Sequence, residues 1–221
     1  MWLPFSLENA LANQTSICSN ALLLIGSQTI NDLNEATDRA RTAANLYPFV
    51  KERVLREHSW NCAKRRVVLA PMTQAPAFDW KYQFALPGDW VRNIQIGYDQ
   101  DGQNGGAQWA WAWIAGEHYL MEGRRILAQF DTLPLVYISN LTDESLFDTT
   151  LTYTMTVAMA AAMAYPITKS SSVQQAMEQL LADTLRKARN YDGQDDPPQT
   201  LGDSPLYQSR FGTFPLIPGR S

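Results

Sequence analysis

FDTTLTYTMTVAMAAAMAYPITKSS, residues 147–171, is the stretch on which the fold turns. No charged side chain stands between Asp148 and Lys169, and its centre reads VAMAAAMA. A membrane span needs roughly 20 predominantly apolar residues. This segment reaches that length only by counting five threonines in the eight positions after Asp148 and a proline, Pro166, near its end. Alanine and threonine gain little on transfer to lipid. Leu151, Met155, Met159 and Ala162 recur at core spacing, and Ala158, Ala161 and Ala164 allow close backbone approach. The segment therefore predicts a helix with protein on most sides, not a membrane anchor.

The rest of the chain suits a globular protein. It has 221 residues, enough for one substantial core, with 45% hydrophobic and 18% charged side chains. A formal charge of −4 argues against broad phosphate neutralisation as a mode of action. Cys18 and Cys62 lie far apart among apolar residues, without CxxC spacing, and read as buried reduced thiols. The first basic residue is Arg39, so the apolar start MWLPFSLENALANQTSICSN lacks the positive region of a secretory signal.

Four zones follow from periodicity. Residues 1–63 carry helices: Ile17, Ala21, Leu24 and Ile25 share one face, and Gly26 stops the run. Thr37 or Asp38 caps a second helix with Ala40, Ala43, Ala44, Tyr47, Val50 and Val54 along one side and a Glu52–Arg56 pair on another. Pro48 predicts a kink or split near Ala44. Residues 64–140 change to short β-type runs: 67–70, 82–86, 91–98, 109–114, 118–130 and 133–139. Glu122 and Gly123 form the strongest hairpin turn, and 99–108 reads as a loop tip. Residues 141–192 return to helix, the last one opening on a Ser172–Gln175 capping box and ending at Gly193. Residues 193–221 are an extended arm rich in Pro, Gly and Asp. The expected class is α+β: a helical bundle with an inserted antiparallel β domain and a C-terminal arm.

Catalytic signals are sparse. The chain has no P-loop, no G-x-G-x-x-G and no G-x-S-x-G elbow. His58 and His118 have no partner at telling spacing and read as structural. Asp143, Glu144 and Asp148 could serve glycoside hydrolysis, but acids at a helix start are explained more simply as caps. Trp109, Trp111 and Trp113 share one face of a strand, which suits core or interface better than a ligand platform. Lys64, Arg65 and Arg66 are the densest positive run, either a solvated strand entry or a contact with an acidic neighbour or passing phosphates. Leu206, Tyr207, Phe211, Phe214, Leu216 and Ile217 are too apolar for a free tail and are partner-contact candidates. The expectation is a protein without enzymatic activity or cofactor.

Five segments carry a family resemblance: VLREHSWNCAKRRVVLA (54–70), FALPGDWVRNI (84–94), YLMEGRRILAQF (119–130), TDESLFDTTLTYTMTVAMAAAMAYPIT (142–168) and LRKARNYDGQDD (185–196). In this order they resemble the head-to-tail adaptor proteins of short-tailed bacteriophages, the tail tubular protein A family, over about Asn13 to Ser209. Members commonly read HPWNFA where this chain has His58, Ser59, Trp60, Asn61, Cys62 and Ala63, and nothing beyond Ser209 has a counterpart. The resemblance implies a virion protein forming a homo-dodecameric ring between the portal protein and the tail nozzle protein. Duplex DNA would pass through that ring without specific binding, and no membrane, reaction or cofactor is implied. A tail-associated glycan hydrolase, and a sequence-neutral DNA-packaging module built on Lys64, Arg65 and Arg66, are the alternatives.

Overall fold

Asn13 starts the first helix. Its Oδ1 accepts from the Ser16 backbone N–H at 2.7 Å, and Ser16 Oγ accepts from the Asn13 N–H at 3.1 Å, a reciprocal capping box. The computed structural model, which describes residues 12–97 and 119–195, shows α1 over Gln14–Leu24, closed by Gly26 at φ 72°. Its buried stripe is Ile17, Cys18, Ala21, Leu22 and Ile25, the i, i+4 rows from 17 and 18. Leu24, expected in the core, falls outside those rows and is 40% exposed.

Thr37 caps α2, Asp38–Glu57, by accepting from the Ala40 N–H at 3.2 Å. The helix does not split at Pro48. Proline deprives the Ala44 carbonyl of its partner, but both residues are exposed, where water can satisfy that oxygen. Ala44 therefore belongs to the outer face, not to the buried one. The expected Glu52–Arg56 pair does not form, because Arg56 Nη1 instead donates to the Val91 carbonyl at 2.9 Å and ties α2 to the β region.

Among the described residues, α2 is followed by β1 (Lys64–Leu69), β2 (Tyr82–Ala85), β3 (Trp90–Ile96), β4 (Tyr119–Glu122), β5 (Arg125–Ala128) and β6 (Leu133–Ser139). They form two antiparallel three-stranded sheets, β1-β6-β3 and β2-β5-β4. The β4–β5 hairpin pairs Glu122 with Arg125, so its turn is Gly123–Arg124, one residue later than the sequence suggested, with Gly123 at φ 58°. Phe84, Ile96, Ile126, Leu133, Leu135 and Tyr137 make a core of their own between the sheets. The opposite side of sheet β1-β6-β3 supplies Val91 and Ile138 to the helical core, which joins the two regions.

Asp148 Oδ1 accepts from the Leu151 N–H at 2.6 Å and starts α3, Thr149–Thr168. Every residue from Thr154 to Ala161 is buried, because α1, α2 and the helix that follows, α4 (Ser171–Asp195), all pack on it. The threonine hydroxyls buried with it donate to carbonyls one turn back, Thr154 to Thr150 at 2.8 Å and Thr156 to Thr152 at 2.9 Å. Lys169, at φ 56°, ends the helix. No described helix is long and apolar enough to cross a membrane.

The last helix, α4, spans Ser171–Asp195. Ser170, not Ser172, caps it: its Oγ accepts from the Val173 N–H at 3.4 Å. Gly193 lies inside the helix, a position that costs helix stability without forcing a stop. Thr184, Leu185 and Ala188 are buried against α3, while Leu180 and Leu181 are half-buried.

Candidate functional site

The positive run predicted from sequence is divided by the strand that carries it. Successive side chains of β1 point to opposite faces. Arg65 shares a face with Val67 and Leu69, which pack on the inter-sheet core. Its Nη1 pairs with Asp89 Oδ2 at 3.2 Å, and Asp89 Oδ1 accepts from the Tyr137 hydroxyl at 3.1 Å. Tyr137 stands opposite Arg65 in the register. Burial, followed by Asp89, raises the Tyr137 phenol above its ordinary range. Lys64 and Arg66 fall on the other face, where Arg66 borders an open groove of about 290 Å³ with Val68, Gln95, Gly97, Pro134 and Val136. One arginine is thus held in an ion pair, and the run is not a single basic patch.

A second pair of arginines lies at the α2–β3 junction. Arg92 Nη2 donates to Ser59 Oγ, while its Nε is buried and has no partner among the described residues. Burial and then the Arg56 charge lower the Arg92 pKa. His58 is the C-cap of α2 and meets Trp60 edge to face at 4.9 Å, and Trp60 donates its ring N–H to the Val54 carbonyl at 2.9 Å. His118, Trp109, Trp111, Trp113 and the arm residues Leu206, Tyr207, Phe211, Phe214, Leu216 and Ile217 lie outside the described residues.

The three acids near residue 145 separate into two roles. Asp143 caps a short 3-10 turn, accepting from the Ser145 N–H at 2.9 Å, and hydrogen bonds from Ser145 hold its carboxyl below the usual range. Asp148 caps α3, as described. Glu144 does neither. Its side chain is 9% exposed and its Oε1 accepts from Lys51 Nζ at 3.2 Å, Gln14 Nε2 at 3.2 Å and the Tyr47 hydroxyl at 3.1 Å. Lys51 also donates to the Leu141 carbonyl at 2.6 Å. One carboxylate oxygen therefore ties α1, α2 and the segment entering α3 together.

Glu144 also acts on the titration of its neighbours. Burial and then its charge push the Cys18 thiol up to about 12, and the same two causes raise the Tyr47 phenol far above its usual value. Cys62 is likewise pushed up to about 12, chiefly by burial. Both cysteines are unbridged thiols. Nothing near Glu144 in sequence signals this cluster, since its partners lie 93 to 130 residues away. A signal was present in α2, where Lys51 interrupts an otherwise apolar stripe between Val50 and Val54.

Among the described residues, no group of three or more His, Cys, Asp or Glu is placed to hold a metal ion. Compared with known proteins, the chain matches no family model and no curated protein.

Proposed function

We propose that this chain is a structural virion protein, a head-to-tail adaptor subunit of a short-tailed bacteriophage. Copies assemble as a ring that joins the portal to the tail nozzle and encloses part of the DNA ejection path. The observation that carries the reading is the co-linear run of five family-like segments, whose longest member, 142–168, is used throughout as structure. Asp143 and Asp148 are caps, Glu144 is ion-paired, and the helix that follows is the buried centre of the body. The glycan-hydrolase alternative draws no support from those acids, because each has a structural role.

Two further features support a subunit role. Cyclic rings use heterologous contacts in which one patch meets a different patch on the next copy. Outer faces here carry large apolar side chains, among them Phe49 at 73% exposure, Val68 and Leu146. Net charge −4 suits a conduit that must release the duplex it passes.

Mixing the purified protein with its portal and nozzle proteins is expected to give ring-bearing particles in negative stain, and no association would overturn the reading. Deleting residues 203–221 is expected to weaken that assembly while leaving the helical circular dichroism nearly intact. Unaltered assembly would remove the arm from the interface.

A further inference from the structure

One face of sheet β1-β6-β3 is only half covered. Successive residues of β6 alternate between the inter-sheet core, which takes Leu133, Leu135 and Tyr137, and the opposite face, which carries Pro134, Val136 and Ile138. Ile138 is buried in the helical core, whereas Val136 and Pro134, further along the same face, are half-buried. The register sets Arg66 and Gln95 beside Val136, and Val68 beside Pro134, whose carbonyl accepts from the Gly97 N–H at 2.8 Å. These residues line the open groove of about 290 Å³. Val68 is 61% exposed and Arg66 is exposed as well, so the open half of the face sets a guanidinium beside an apolar strip. Among the described residues no acid lines the groove, and the charge of Arg66 has no counterpart in it.

The chain itself holds a segment of complementary chemistry. Lys169 and Ser170 alone join α3 to α4, so α4 returns antiparallel along α3. At about 1.5 Å per residue, its 25 residues outrun the 20 of α3, and Asp195 comes to the end of the body where the chain enters α3 from β6. Residues 196–221, which lie outside the described ones, continue from that end. From Pro197 onward their one acid is Asp203, and Leu206 and Tyr207 follow it. Pro205 favours an extended conformation at Ser204. Three extended residues span about 10 Å. Arg66 and Val68 stand two residues apart on β1, about 7 Å, and the length of the arginine side chain covers the difference.

We propose that the groove receives the arm of a second copy, with Asp203 paired to Arg66 and with Leu206 and Tyr207 laid on Val68 and Pro134. The inference rests on the ring reading above and names the surface that its arm occupies. An arm on one copy and a groove on the next are unlike patches, the heterologous contact from which rings are closed. Burial of the two apolar side chains offsets the cost of ordering the segment, and the ion pair fixes its direction.

The test titrates a peptide of residues 199–209 into the full chain and follows the Val68 and Val136 methyl signals by NMR. A saturable shift of both is expected. Arg66→Gln in the chain and Asp203→Asn in the peptide are each expected to weaken binding several-fold, as loss of an exposed ion pair does, and Val68→Ser is expected to act alike. Arg66→Glu should bind the unaltered peptide poorly and recover with an Asp203→Arg peptide. Arg66 and Val68 are exposed, so these variants leave the core intact. No saturable shift, or a shift indifferent to every substitution, would overturn the proposal. The full chain alone identifies whose arm is bound. Methyl shifts that grow with protein concentration and vanish on deleting 203–221 place a second copy's arm in the groove. Shifts lost on that deletion but independent of concentration place the chain's own arm there and overturn the assignment; if neither is seen, the peptide titration decides. Absence of rings with portal and nozzle proteins, with peptide binding retained, would sink the adaptor reading and leave the contact between groove and arm standing.

Discussion

Replacing Lys51 by Met isolates the energetics of the buried pair. Lys51 Nζ makes two hydrogen bonds to described residues, to Glu144 Oε1 at 3.2 Å and to the Leu141 carbonyl at 2.6 Å, and both partners lose it at once. Methionine fills most of the volume, so cavity formation adds little. What remains is a carboxylate 9% exposed, held among the described residues by Gln14 and Tyr47. Breaking a buried pair by removing one partner costs about 3 to 5 kcal/mol, against total stabilities of about 5 to 15 kcal/mol. With a urea slope of about 2 to 3 kcal/mol/M for a chain of this size, the midpoint falls by about 1 to 2.5 M. Glu144→Gln alone keeps an acceptor for all three donors but strands the ammonium, and it is expected to cost about 2 to 3 kcal/mol. Adding Glu144→Gln to Lys51→Met should then recover at least about 2 kcal/mol, because no uncompensated charge is left inside. Urea denaturation followed by helical circular dichroism on the four proteins measures the cycle. A Lys51→Met cost under about 1 kcal/mol, or strict additivity in the double variant, would refute the assignment of this pair as a desolvated, coupled interaction.

Three shorter predictions concern the rest of the fold. Cys18 and Cys62 keep their protons in the folded state well past the ordinary thiol range, so the unfolded chain loses protons first as pH rises above about 9. Stability is therefore complete below that pH and falls above it by about 1.4 kcal/mol per pH unit per thiol, a slope that chemical denaturation between about pH 8 and 10 reads directly. Met159→Lys puts a charge at a site with 0% exposure and is expected to abolish folding, whereas Tyr153→Lys, at 49% exposure on the same helix, should change stability by less than about 0.5 kcal/mol; soluble yield and thermal melts distinguish them. Gly123→Ala forces a Cβ into φ 58° and is expected to cost about 1 kcal/mol at the β4–β5 turn, with equal melting temperatures for the two proteins counting against a strained turn.

Local chemistry was the legible part of this molecule. Thr37 and Asp148 could be read as caps, and Gly26 and Gly123 as positions for positive φ, because each acts on backbone within four residues of itself. The α+β order was equally open, since periodicity changes from helical to alternating near Lys64 and back near Asp143. Errors of one or two residues came where neighbouring residues are chemically equivalent. Ser170 supplies the cap that Ser172 could have supplied, and the hairpin turns at Gly123–Arg124.

What the sequence determined by itself was that residues 149–168 form a helix with protein on most sides, because its side chains are small or apolar and none is charged. Which surfaces cover that helix was decided only by tertiary structure, through α1, α2 and α4 closing around it. The same holds for charge. Sequence marks Lys64, Arg65 and Arg66 as a cluster, yet the pleat of β1 separates Arg65 and gives it to Asp89. Glu144 reads as one more helix-start acid until the fold brings Gln14, Tyr47 and Lys51 to a single oxygen. Caps and turns are contacts within a few residues, whereas the Glu144 contacts span 93 to 130 residues, and only the folded chain sets those distances.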